Sequence, residues 1–191
     1  MDTGEAGRPS RVADPEQLFA RMYDDLYDQV HAFCARRVGY ADADDATADV
    51  FAAVWRRIAD VNGDQHRAWV FAIARGVVLN HWRSKRRKQR LADRVGGLRR
   101  TTPDDPETVV VRRDQDAAVI NALRQLPKRD QEVLMLSTWD DLSAPEIAVV
   151  LDINVNAAQQ RLSRARKRFA KLVTFEHPGL REVSTSEGGA P

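Results

Sequence analysis

Apolar residues spaced four apart, recurring along most of the chain, constrain its fold more than any other feature. Leu18, Met22, Leu26 and Val30 form one such row. Ala46, Val50, Val54 and Ile58 form a second, widened by Phe51 and Trp55. Trp69, Ile73, Val77 and Val78 make a third. Spacing of this kind puts side chains on one face of a helix, and that face must be buried. Sustained alternation is absent, and no Asn-Gly turn joins two apolar runs, so nothing points to strands. The expected fold class is all-α.

The rows stop after about Leu91. From Arg94 to Asp114 the chain holds Gly96-Gly97, Thr101-Thr102-Pro103 and Asp105-Pro106, with one short apolar cluster at Val109 to Val111. That composition is a linker's. Helical spacing then resumes at Val119, Ile120, Leu123 and Leu126, stops at Pro127, and returns at Val133, Leu134 and Leu136. The expected organisation is two small helical domains joined by a flexible linker. Residues 1–15 are a disordered N-terminus, 16–92 the first domain, 93–115 the linker, 116–173 the second domain and 174–191 a flexible C-terminal tail. Each domain should be a bundle of about four helices.

The second domain carries the clearest local signal, LSAPEIAVVLDINVNAAQQRLSRARKRFAKL at 142–172. Ser143 and Glu146 have capping-box spacing, and Pro145 falls in a first helical turn, where its missing N–H costs nothing. Ile147, Val150 and Leu151 give this helix its apolar face. Asp152-Ile153-Asn154 makes a tight turn, with Asn154 placed to cap the next helix. That helix buries Ala158, Leu162, Ala165, Phe169 and Leu172. Two helices so joined suit a DNA-binding helix-turn-helix, whose second helix enters the major groove. Periodicity leaves Asn156, Gln159, Gln160 and Ser163 outward, and Asn and Gln can pair bidentately with adenine. Arg164 could read guanine. Arg161, Arg166, Lys167, Arg168 and Lys171 suit phosphates. The plainer reading of this segment is a solvated basic helix on a protein-interaction module.

Charge is patterned although the net is only +2. DADDATAD at 42–49 is acidic, and HWRSKRRKQR at 81–90 is strongly basic. TTPDDPE at 101–107 is acidic again. Patches of opposite sign suggest separate surfaces with separate partners. The polar N-terminus lacks the apolar core of a signal peptide. The longest apolar run, AWVFAIARGVVL, is too short to span a bilayer and is broken by Arg75, so no membrane insertion is expected. One cysteine, Cys34, permits no internal disulfide, which fits a reducing compartment. A cytoplasmic location is expected. His31 and Cys34 fall three apart on a helix, but no second ligand pair accompanies them, so no metal site is expected. No cofactor motif or catalytic constellation is evident, and no enzymatic activity is expected.

The first domain then reads as an acidic helix (DADDATADVFAAVWRR), a polar loop (ADVNGDQHR), and a helix that begins aromatic and ends basic (AWVFAIARGVVLNHWRSKRR). At this point the chain resembles the extracytoplasmic-function sigma factors of bacterial RNA polymerase. The acidic motif resembles their polymerase-binding region 2.2. The basic-ended helix resembles regions 2.3 and 2.4, which melt and read the −10 element. ALRQLPKRDQEVLML with the helix-turn-helix resembles region 4, which reads the −35 element. The resemblance covers roughly residues 16–172. It implies an alternative sigma factor that binds core RNA polymerase and promoter DNA, and it implies an anti-sigma partner.

On this resemblance Asp42, Asp45, Asp49, Phe51 and Trp55 bind core polymerase. Phe51 and Trp55 would anchor the acidic helix either to the domain core or across the interface. Asn62, Asp64, Asn80, His81, Trp82, Arg83, Lys85, Arg86 and Arg87 bind −10 DNA, the loop supplying a base pocket and the cations holding phosphates. Asn156, Gln159, Gln160, Arg161, Ser163, Arg164 and Lys167 bind −35 DNA. Trp69 shares a face with Ile73 and Val77 and reads as core; Trp82 can be either core or a base contact. The chain also departs from the family pattern. Gly76 and Asn80 stand where Asn and Asp are usual after IAR, Ala48 replaces a Gln, Asp152 replaces the turn glycine, and Ala157-Ala158-Gln159-Gln160 replaces Thr-Val-Lys-Ser. Two other functions fit parts of the chain: a stand-alone helix-turn-helix regulator, and a sigma-like adaptor that does not initiate.

Overall fold

The computed structural model describes residues 14–61, 66–95 and 114–176. Asn62, Asp64, most of the linker and both chain ends lie outside the described residues. What is described is helical, in agreement with the all-α expectation, with no strand among the described residues. Among them seven α-helices follow in order: α1 (Pro15–Val38), α2 (Tyr40–Arg56), α3 (His66–Val95), α4 (Asp114–Gln125), α5 (Lys128–Thr138), α6 (Ala144–Leu151) and α7 (Val155–Glu176). A 3-10 turn at Ile58–Asp60 follows α2. The described part of the first half thus packs three α-helices and a turn rather than four helices.

Local chemistry sets the boundaries. Asp14 caps α1 by accepting from the Glu16 amide, with Pro15 in the first turn. Gly39, at φ 90°, ends α1 and starts α2 in one residue, a backbone conformation that favours glycine. Pro127 separates α4 from α5, and its carbonyl accepts from the Asp130 and Gln131 amides. Helix α3 runs to Val95, past the point where its apolar row stops, because its last turns are held by helix-favouring Lys, Arg, Gln and Leu rather than by burial.

The three rows meet as expected. Met22, Leu26 and Val30 from α1, Val50 and Val54 from α2, and Phe71, Ile73 and Val78 from α3 are buried together. In the second half Val133, Leu136, Ile147, Val150, Ala158, Leu162 and Ala165 form the equivalent core. The two halves also touch: α3 packs against α6, and one apolar cluster continues from α1–α3 into α5–α7.

Candidate nucleic-acid and polymerase interfaces

The helix-turn-helix is built as its sequence implies. The Ser143 amide donates to Glu146 Oε2 at 2.8 Å, and Ser143 Oγ accepts from the Glu146 amide, completing a capping box on α6. The Asn154 side chain accepts from the Ala157 amide at 2.7 Å and caps α7. Asp152 sits between them at φ 53°, ψ 55°. It takes up the left-handed conformation in which glycine is most at ease, and aspartate is among the few other residues that tolerate it.

With Ala158, Leu162 and Ala165 turned inward, α7 presents Asn156, Gln159, Gln160, Ser163, Arg164 and Lys167 on its exposed face; Arg161 is half-buried. Two cations read from sequence as phosphate contacts have another role. Arg168 pairs with Asp130, and Arg166 donates to Ser137 Oγ at 3.2 Å, so both brace α7 against α5.

In the first half, Asp45 and Asp49 are exposed on α2, and Trp55, near the end of the same helix, is 45% exposed. Asp42 is half-buried, its Oδ2 3.2 Å from His81 Nε2, which ties the acidic helix to α3. Phe51 is 4% exposed. Of its two readings as an anchor, the structure takes the core one: its ring lies 4.7 Å from Tyr23 and edge-on to Phe19 at 6.3 Å. It supports the acidic face from beneath and is not displayed on it. Around it Phe19, Tyr23, Tyr27 and Trp55 make a run of ring contacts between α1 and α2, a packing mode that adds to simple burial.

Toward the end of α3, Arg83, Arg86, Arg87 and Arg90 are exposed and recur at helical spacing, forming a basic stripe with Lys85 and Lys88 beside it. Asn80 accepts from Arg83 at 3.1 Å. Trp82 is half-buried, and its indole N–H donates to the Arg37 carbonyl at 3.0 Å. Trp82 therefore fixes α3 on the end of α1, which is a packing role. Trp69 is half-buried and packs against the core, on the side its spacing implies.

His31 faces Asp44 at 2.9 Å, while Cys34 is buried; burial raises the Cys34 thiol pKa to about 11. No group of three or more metal-binding side chains occurs among the described residues.

Sequence reasoning missed a group of charged residues between the halves. Arg36 and Arg37 of α1 both reach Asp140, just before α6, at 2.6 Å. Arg67 donates to Glu146 at 2.8 Å and to the Asp140 carbonyl at 2.9 Å. Arg75 pairs with Glu132 at 2.7 Å. Partners up to 104 residues apart leave no local pattern to read.

An all-helical chain with a capped helix-turn-helix at one end and an acidic helix beside a basic-ended one at the other has the build of a two-part promoter-recognition factor. The sigma-70 region 2 model matches residues 22–88, and the sigma-70 region 4 model matches residues 116–169. The RNA polymerase sigma factor CnrH of Cupriavidus metallidurans is 32% identical over 141 residues, covering 69% of this chain and 73% of that one. The ECF RNA polymerase sigma factor BldN of Streptomyces coelicolor is 32% identical over 166 residues, covering 84% of this chain but 62% of its relative. Among solved structures, CnrH in complex with the cytosolic domain of CnrY superposes with a TM-score of 0.58 at 25% identity, over 85% of this chain and 91% of that one. The sigma factor RpoE of Bartonella quintana, in complex with the anti-sigma factor NepR, shares the fold with a TM-score of 0.61 at 20% identity, over 84% and 99%.

The chain belongs to the extracytoplasmic-function branch of the sigma-70 family. It is an alternative sigma factor, which binds core RNA polymerase and directs initiation at promoters. Sigma factors are initiation factors, and no described helix is long and apolar enough to cross a membrane.

Proposed function

We propose that the two halves divide the work by surface. Asp45, Asp49 and Trp55, with Asp42 at the margin, dock on core polymerase. The stripe from Arg83 to Arg87, together with Asn80 and His81, holds −10 DNA. Asn156, Gln159, Gln160, Ser163, Arg164 and Lys167 read the −35 element, with Arg161 beside them on a phosphate. Asn62 and Asp64 complete the −10 site from the loop. The domain limits are those set out from sequence, 16–92 and 116–173. The protein acts in the cytoplasm, has no catalytic activity of its own, and is held in check by an anti-sigma protein, as the solved complexes of its relatives suggest.

The observation that carries this reading is the outward face of α7. Every residue with base-reading chemistry at its start is exposed, while Ala158, Leu162 and Ala165 anchor the opposite side. Gln159 and Gln160 offer two amides where a bidentate contact discriminates between bases by about 1–3 kcal/mol. Selecting preferred −35 sequences from a randomised pool, with Q159A/Q160A beside the wild type, tests it. A changed consensus is expected. An unchanged consensus removes the pair from readout.

A further inference from the structure

Helix α7 carries one large apolar side chain that its core does not cover. Leu162 is buried, Phe169, Leu172 and Val173 are half-buried, and Val155, the first residue of the helix, is 40% exposed. Single apolar side chains on a surface are common and by themselves mean little. The position of this one sets it apart. It stands at the start of α7 among Asn156, Gln159 and Gln160, all exposed, and the division of surfaces proposed above gives it no part. The backbone beneath it is held on both sides. The Asn154 side chain accepts from the Ala157 amide at 2.7 Å, the Asn154 carbonyl accepts from the Ala158 amide at 3.1 Å, and Asp152 fixes the turn at φ 53°. Val155 therefore projects from a fixed frame, and its branched Cβ leaves it few rotamers to lose on contact.

The N-terminal residues of a recognition helix face base edges in the major groove. Most of what the groove displays there is polar: N7 and O6 of guanine, N7 and the amino group of adenine, the amino group of cytosine, and O4 of thymine. The apolar group it displays is the thymine C5 methyl. An apolar side chain laid over a polar edge strips its water and returns no hydrogen bond, which costs free energy. Laid over the methyl, it takes apolar surface out of water on both partners, which is favourable. The same side chain thus favours thymine and disfavours the other bases at one position. Val155 and Gln159 are one helical turn apart, which puts their Cβ atoms about 5–6 Å from each other. Bases succeed one another about every 3.4 Å along a strand, so the thymine falls about one or two base pairs from the base that Gln159 contacts.

We infer that Val155 is a specificity-determining residue of the −35 contact, packing on the C5 methyl of a thymine beside the base that Gln159 reads. This rests on the assignment of the α7 face to the −35 element proposed above, and it adds an apolar contact that the two amides cannot make. A carboxamide reads donors and acceptors. Thymine and uracil present the same O4 and differ there by the methyl alone, so Gln159 and Gln160 cannot tell them apart. Val155 can.

The test exchanges thymine for uracil in the −35 element. Holoenzyme assembled from the full-length chain and core polymerase would select its preferred −35 sequence from the randomised pool. Each thymine of that sequence, on either strand, would then be replaced singly by deoxyuridine in a promoter fragment. Wild type should lose about three- to fivefold in affinity at one thymine and little at the others, the loss that removal of one covered methyl implies. Val155→Ser should bind the all-thymine fragment about three- to fivefold more weakly and show no further loss with uracil at that position. Val155→Ile keeps an apolar branched side chain and should keep the distinction. Val155 is exposed and its cap is made by Asn154, so neither change puts folding at risk. Uracil tolerated at every position would overturn the contact, as would a selected element with no thymine on either strand. A uracil loss that V155S leaves unchanged would also overturn it, by placing the methyl against another residue. In each of these outcomes a selected sequence that still changes with Q159A/Q160A leaves the α7 assignment standing. If neither Q159A/Q160A nor V155S alters the selected sequence, the face does not read −35 DNA, and the assignment and the methyl contact fall together.

Discussion

Single residues carry three consequences. Gly76 is exposed in the middle of α3, and a Cβ added there meets nothing within 4 Å. Gly76→Ala should therefore raise stability by up to about 1 kcal/mol, read as a higher denaturation midpoint at unchanged m-value. Cys34 is buried with its thiol pKa raised to about 11, so at pH 8 it stays protonated. Labelling by a thiol reagent should be slow in the native chain and immediate in denaturant; rapid native labelling would contradict its burial. Trp82 commits its N–H to the Arg37 carbonyl, so Trp82→Phe should lower stability by about 1 kcal/mol in thermal unfolding. At this scale sequence reading reached a limit with Phe51 and Trp82. Each lies at the margin of a helical face, where periodicity alone cannot separate a core side chain from a displayed one. Partners on other helices decided both.

Among the elements, the helix-turn-helix was the most legible. Its capping box, turn and second cap are local hydrogen bonds between residues three to five apart, and local chemistry can be read in order. The same locality makes it testable. Ser143→Ala removes the α6 cap and should cost about 1 kcal/mol. Burial works to raise the Glu146 pKa, but its bonds from Ser143 and Arg67 outweigh that and hold it below the ordinary glutamate value of 4.5. A carboxylate depressed on folding contributes stability that is fully present above its unfolded pKa and lost as pH falls through its folded one. Stability measured from about pH 6 downward should therefore fall as pH drops below about 4.5, and E146Q should flatten that decline. An identical pH profile for E146Q would remove Glu146 from the linkage. The end of α3 was less legible, because an exposed basic helix has no apolar row to mark where it stops.

Across the whole molecule, fold class and the order of its parts followed from apolar spacing and from the Gly- and Pro-rich stretch between them. The contact between halves did not. Arg36, Arg37, Arg67 and Arg75 stand in sequence as ordinary helix-surface cations, and Asp140 lies in an inconspicuous turn. Only the packing of α6 on α3 brings them together. Charge distribution has a consequence at this scale too. A basic stripe that binds phosphates releases counterions, with a slope of about 0.9 per phosphate in log affinity against log salt. R86A/R87A should reduce that slope by about two on duplex DNA and weaken binding regardless of sequence. An unaltered slope would return the stripe to a solvated helix face.

The most direct test of the central claim is transcription in vitro. Full-length protein would be mixed with core RNA polymerase from its source and fragmented genomic DNA, and the transcript 5′ ends sequenced. Discrete start sites that depend on the protein and share motifs at −10 and −35 are expected. Polymerase that binds the protein yet gives no dependent starts would make it an adaptor, and a protein that gives no dependent starts and does not bind polymerase would make it a stand-alone regulator; either result would contradict its role as a sigma factor.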